Sequence, residues 1–169
     1  MTNRFDDYAA TLKQEFPKFK IVEKSSSGLM RFLNFFAKLW MPTFLTNVTT
    51  VIGTTVYMPK WLMSTDSGYV VLRHEAVHMR DFKKWWYLQP ITYFIPPAGP
   101  SMKAIWEFRG YMETLRVWHE LGWYTNGQEI DWLVSQFTGP AYLWMWPFKA
   151  SLTKKFRAEF DRLNAIGHP

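Results

Sequence analysis

The chain has no cysteine. Disulfide scaffolds, thiolate zinc sites and cysteine nucleophiles are therefore excluded, and any metal must be held by His, Asp or Glu. Histidine is itself scarce, with four in 169 residues. Charged residues make up only 20% against 48% hydrophobic, which excludes a disordered chain. The opening residues show no basic region followed by an apolar run, so no secretory signal is expected. The most apolar stretch, Trp85 to Pro97, falls short of the ~20 residues that a bilayer span needs. It also carries Gln89 and three prolines. The expectation is a soluble, cytoplasmic, single-domain chain that is not transmembrane. The net charge is +6, yet no basic run is dense enough to mark a nucleic-acid patch, so no nucleic acid is expected as partner.

Aromatic residues are abundant at 19%, with 10 Trp, 8 Tyr and 14 Phe. Trp is seldom completely buried, so some of these rings are expected to line a cleft or an interface. Phe5, Ala9, Leu12 and Phe16 recur at helical spacing and predict a first helix ending at Pro17. Phe19 to Glu23 alternates like a strand. Leu29, Phe32, Leu33, Phe36 and Leu39 mark a second helical apolar face, whose rings need no more than a core. Thr43 to Met58 is rich in β-branched residues and reads as two short strands or one kinked strand, with a turn or bulge at Gly53. Helices follow from about Ser67 to Lys84, Met102 to Leu121 and Ile130 to Phe137. Leu152, Phe156, Phe160 and Leu163 define a last amphipathic helix.

Inside the Ser67 to Lys84 helix the sequence reads His74-Glu75-Ala76-Val77-His78. Imidazoles four residues apart lie one turn apart on one helix face, so both can reach one metal ion. Glu75 follows the first of them and can lean toward the attacking water without binding the metal. This is the H-E-x-x-H arrangement of zinc metallopeptidases. With four His and eight Glu, random placement would yield such a match in roughly 0.4% of chains of this length. The plain alternative is a helix whose histidines are buried or solvated.

A catalytic zinc needs a third protein ligand and an open position. No His lies between Met79 and Tyr87, which excludes the metzincin spacing. His168 reads as a frayed terminal residue, and His119 as a surface residue near a helix end. Glu107 and Glu113 lie on the next long helix, six residues apart and on different faces. Gly110 leaves no side chain near Glu107 and would let that helix come close, which favours Glu107. For each carboxylate the alternative is a solvated pair with Arg109 or Arg116.

In these motifs the chain resembles the small gluzincins, zinc metallopeptidases with H-E-x-x-H and a downstream glutamate. Thr50 to Pro59, His74 to Asp81 and Trp106-Glu107-Phe108-Arg109-Gly110-Tyr111 carry the resemblance, which spans about residues 43–120. Several phage-encoded proteins of this size look similar. The resemblance implies Zn2+ held by His74, His78 and Glu107, with Glu75 as general base. It implies an α+β, zincin-like fold, with a small mixed sheet packed on the H-E-x-x-H helix and a glutamate helix, plus extra C-terminal helices. Residues 1–124 would form the metallopeptidase-like core and 125–169 a helical extension. It also implies that the strand near Thr54 to Tyr57 borders the cleft, where an extended peptide substrate could add as another strand.

Some members carry an Asp four residues after the ligand Glu; here that position is Tyr111. Tyr111 or Asp81 could support a zinc histidine instead. Tyr124, Tyr142 and His119 are the candidates for stabilising an oxyanion.

A different class of reading is a catalytically silent or self-inhibited zinc-binding structural protein, for example a phage virion component. The aromatic region Tyr142 to Phe148 and the last helix would then dock on a protein partner or cover the cleft. A basic surface on the last helix, from Lys149 to Arg162, leaves a membrane or nucleic-acid role as a third reading. Trp85, Trp86, Tyr87, Tyr93 and Phe94 connect the two candidate ligand helices. With Tyr142 to Phe148, they are where substrate selection or partner docking is expected.

Overall fold

The computed structural model describes residues 3–39, 42–85, 102–123, 127–139, 146 and 148–167. Among these residues it is an α+β chain with seven α-helices and one three-stranded mixed sheet. The helices are α1 (Arg4–Glu15), α2 (Gly28–Ala37), α3 (Phe44–Asn47), α4 (Asp66–Trp85), α5 (Met102–Glu120), α6 (Gln128–Thr138) and α7 (Lys149–Ile166). The strands are β1 (Lys20–Glu23), β2 (Thr50–Ile52) and β3 (Thr55–Met58). The chain divides into two compact units, Met1–Met79 and Arg80–Pro169. The expected connection Gln89 to Ser101, and Trp86, Tyr87, Tyr93, Phe94, Tyr124, Tyr142 and His168, lie outside the described residues.

In the first unit the sheet order is β1-β3-β2, with β1 parallel and β2 antiparallel to β3. Gly53 has φ +62° while Thr54 stays at negative φ, so the β2–β3 connection is a two-residue turn of type II′. β3 is thus the central strand, hydrogen-bonded on both sides. This corrects the expectation that a peptide could add along Thr54 to Tyr57. Both edges of that strand are already used, and an added strand would have to pair with β1 or β2. The segment before β2 also differs from expectation: Phe44–Asn47 forms a helical turn rather than a strand.

Local caps set the helix starts. Asn3 Oδ1 accepts from the Asp6 amide at α1, and Ser27 Oγ accepts from the Met30 amide at α2. Thr65 Oγ1 accepts from the Gly68 amide at 3.0 Å and donates to the Leu62 carbonyl at 2.7 Å. That hydroxyl fixes where α4 begins. Asn3 Nδ2 donates to the carbonyl of Ser64, a residue held at φ 56°, and so ties the start of α1 to the approach to α4. Leu72, Ala76 and Met79 form the buried stripe of α4 at i, i+4 and i+7. Gly68 permits the close approach at its N-terminal end. A Cβ there would sit 1.8 Å from the Leu62 carbonyl oxygen and 3.1 Å from a Phe5 ring carbon.

The second unit is a helical cluster. Tyr111 and Leu115 of α5 and Leu133 and Phe137 of α6 pack with Leu152, Phe156 and Leu163 of α7, and Trp146 closes the group. Phe137 lies 5.4 Å from Tyr111 and 5.9 Å from Phe156 between ring centroids. The apolar face of α7, expected as a docking surface, is therefore buried within its own unit. Phe148 is exposed, and Tyr142 to Met145 with Pro147 lie outside the described residues. On the flank of this core, Glu159 accepts from Arg162 at 2.7 and 2.8 Å and from Arg116 at 2.8 Å. The hydrogen bonds from Arg162 are the largest influence on its carboxyl. With those from Arg116 they outweigh burial and hold its pKa down at about 2, against an ordinary 4.5.

Two outcomes follow for stability. Gly68→Ala should cost about 3 kcal/mol or more in chemical denaturation, because the Leu62 carbonyl is clamped by Thr65 and cannot retreat. Gly28→Ala meets nothing within 4 Å and should be neutral or stabilising. For Glu159 the folded-state pKa lies below the unfolded one. Its contribution is complete above pH 4.5 and is lost as pH falls toward 2. The loss should be about 1–2 kcal/mol, discounted because both guanidinium groups are half exposed. Glu159→Gln should flatten that acid limb.

Candidate metal centre

α4 carries both histidines of the H-E-x-x-H segment, one turn apart, His78 buried and His74 half-buried. Their Nε2 atoms face one another at 3.1 Å, with ring centroids 4.9 Å apart. Two nitrogens each ~2.05 Å from one tetrahedral zinc ion stand ~3.1–3.4 Å apart, so the pair is spaced as such an ion requires. A hydrogen bond between them needs one Nε2 to donate. A metal needs both lone pairs, so loading displaces that proton.

Glu107 is buried on α5. One ligand atom from each of His74, His78 and Glu107 lies within 4.8 Å of the other two. Ligand atoms of one tetrahedral zinc ion stand ~3.1–3.4 Å apart, a spacing that the two imidazole nitrogens already have. Two imidazoles and one carboxylate are a donor set that suits zinc. Among the described residues this is the one group of three or more such side chains with that spacing. Glu113 is not in it. Its carboxylate lies 3.6 Å from Arg116 one turn on.

The other sequence candidates are placed as follows. Tyr111 packs its ring among Trp132 and Phe137. Asp81 is buried and accepts from Arg109 at 2.9 Å. Burial pushes the Asp81 carboxyl up, and the Arg109 and Lys84 charges act against it. Its Oδ2 has no hydrogen-bond partner among the described residues. His119, expected at the surface, is buried, because it continues the α5 stripe of Tyr111 and Leu115 at four-residue spacing.

Lys24 is the residue that sequence reasoning missed. It follows β1 and precedes three serines, a context that reads as a solvated loop. It is completely buried. Its Nζ donates to the Val48 carbonyl and to Thr50 Oγ1, both at 2.8 Å, and sits 3.5 Å over the Phe44 ring. These contacts tether the segment entering β2. Burial lowers its pKa to about 8, opposed by the charge of Glu75. A buried cation therefore acts on the carboxylate between the two histidines. Nothing in the local sequence signals this, since both its hydrogen-bond acceptors lie more than 20 residues away.

Comparison with protein-family models, curated proteins and solved structures gives no match.

Because the Lys24 pKa is depressed in the fold, the unfolded chain binds the extra proton between pH 8 and 10.5. Stability contributed through this site should therefore rise with pH across that window. Measured by urea denaturation against Lys24→Met, wild type should gain up to about 3 kcal/mol from the lower to the upper end. An unchanged difference would show that Lys24 is solvated.

Proposed function

We propose that the chain is a zinc-dependent metallopeptidase with a zincin-like arrangement, similar to the small gluzincins. The observation that carries this reading is the 3.1 Å spacing of the His74 and His78 Nε2 atoms, with a Glu107 oxygen in the same cluster. His74, His78 and Glu107 would hold the metal. When bound, zinc polarises the scissile carbonyl and acidifies the attacking water. Glu75, next to the first ligand, takes a proton from that water and delivers it to the leaving amine. Lys24 supplies a positive charge that acts on Glu75 from inside the fold. An extended substrate could pair along β1 or β2, the outer strands of the sheet, in place of β3.

One observation favours a second reading, a metal site without turnover. A carboxylate attracted by a buried ammonium can serve as the partner of that ammonium instead of as a base. The two readings share the metal and differ in Glu75.

Glu75→Gln separates them. It should keep zinc binding, seen as zinc-dependent thermal stabilisation equal to wild type. It should cut cleavage of an unfolded protein substrate by about a hundredfold or more. His74→Ala and His78→Ala should lose both. Zinc-loaded wild type that cleaves nothing supports the silent site. Equal cleavage by wild type and Glu75→Gln contradicts the peptidase.

A further inference from the structure

The rings of α2 do not enter a core. Phe32, Phe35 and Phe36 are 61%, 63% and 57% exposed, and Leu39 just beyond the helix is 78% exposed. This corrects the expectation that Phe32 and Phe36 need only a core. In α2 only Met30 is fully buried. At ~100° per residue, Leu29, Phe32, Phe35 and Phe36 fall within an arc of ~120°, opposite Met30. The three phenylalanines pack edge to face, Phe32–Phe36 at 5.5 Å and Phe35–Phe36 at 5.2 Å. The patch is therefore an ordered surface. Trp61 is a further exposed ring of the same unit, and its Nε1 donates to the Thr46 carbonyl of α3, the helix packed beside α2.

Charge selects the occupant. From Lys24 to Thr65 the chain has no Asp or Glu, while Arg31, Lys38 and Lys60 are exposed bases in that stretch. Arg31 and Lys38 lie along one border of the apolar arc. Lys38 reaches over the Phe35 ring, with Nζ 5.3 Å from its centroid, so its stem covers apolar surface while its charge stays outside. A second copy of this face would bring like charges together with no acid to pair them. No described helix is long and apolar enough to cross a membrane. A short helix with an exposed aromatic face and a purely basic border fits the interface of an anionic bilayer.

We propose that α2 docks the protein on anionic membrane surfaces, seating Leu29, Phe32, Phe35, Phe36 and Leu39 at the headgroup boundary with Arg31 and Lys38 on acidic headgroups. The proposal is independent of the peptidase reading.

Vesicle sedimentation of the full chain tests it, comparing pure phosphatidylcholine with vesicles about one-third phosphatidylserine. Wild type should bind the anionic vesicles, at least about tenfold more weakly at high salt, and bind neutral ones poorly. Phe35→Ser with Phe36→Ser should lose that binding while circular dichroism and melting stay as in wild type, since neither ring is in a core. Arg31→Glu with Lys38→Glu should lose it as well. Absence of wild-type binding, equal binding to both vesicle types, or retained binding in the well-folded double-serine variant would overturn the proposal. So would a wild-type dimer that the double-serine variant makes monomeric, with no vesicle binding.

Discussion

Two imidazole nitrogens held 3.1 Å apart on one face of a helix are the constraint on which the functional reading rests. The spacing comes from helix geometry, since residues four apart are stacked one turn apart. The direction in which the pair faces comes from what fixes the helix. Thr65 caps its start, Gly68 lets it press against the Leu62 carbonyl, and Leu72, Ala76 and Met79 anchor the opposite face. A helix rotated by a few tens of degrees would keep the two imidazoles together but carry Glu75 away from the charge of Lys24.

The second feature is electrostatic. A lysine with no exposure is costly unless its ammonium is hydrogen-bonded and countered by charge. Lys24 has two oxygen acceptors, an aromatic face and the field of Glu75. The same contacts tie the turn after β1 to the chain entering β2. One side chain therefore links the sheet edge to the carboxylate of the H-E-x-x-H segment. Whether that carboxylate works as a base or as a counter-charge is the chemical question the site poses.

Much of the framework was legible in the sequence because it is written locally. The periodicity of Phe5, Leu12 and Phe16, and Gly53 between two β-branched runs, each fix an element within a few residues. His74, Glu75 and His78 were legible for the same reason, as a spacing on one helix. Glu107 was preferred over Glu113; Glu107 could complete a metal-holding group with the histidines, while Glu113 lies 3.6 Å from Arg116. What escaped depends on distant partners. Lys24 reads as solvated because Val48 and Thr50 are far along the chain. His119 reads as exposed until the α5 stripe is seen to pack inward. The central position of β3 depends on a parallel pairing with β1, more than 30 residues earlier. Phe32 and Phe36 failed in the opposite sense, since periodicity marks an apolar face but not what covers it.

The central claim is a zinc ion held by two imidazoles and one carboxylate. X-ray absorption at the zinc edge, on protein with measured metal content, tests it most directly. The account predicts about one zinc per chain, with two imidazole nitrogens at ~2.0–2.1 Å and oxygen in the remaining positions. It also predicts that the imidazole signal falls by half in His78→Ala under forced loading. A wild-type chain that takes up no zinc, or a spectrum with a third imidazole, would contradict it.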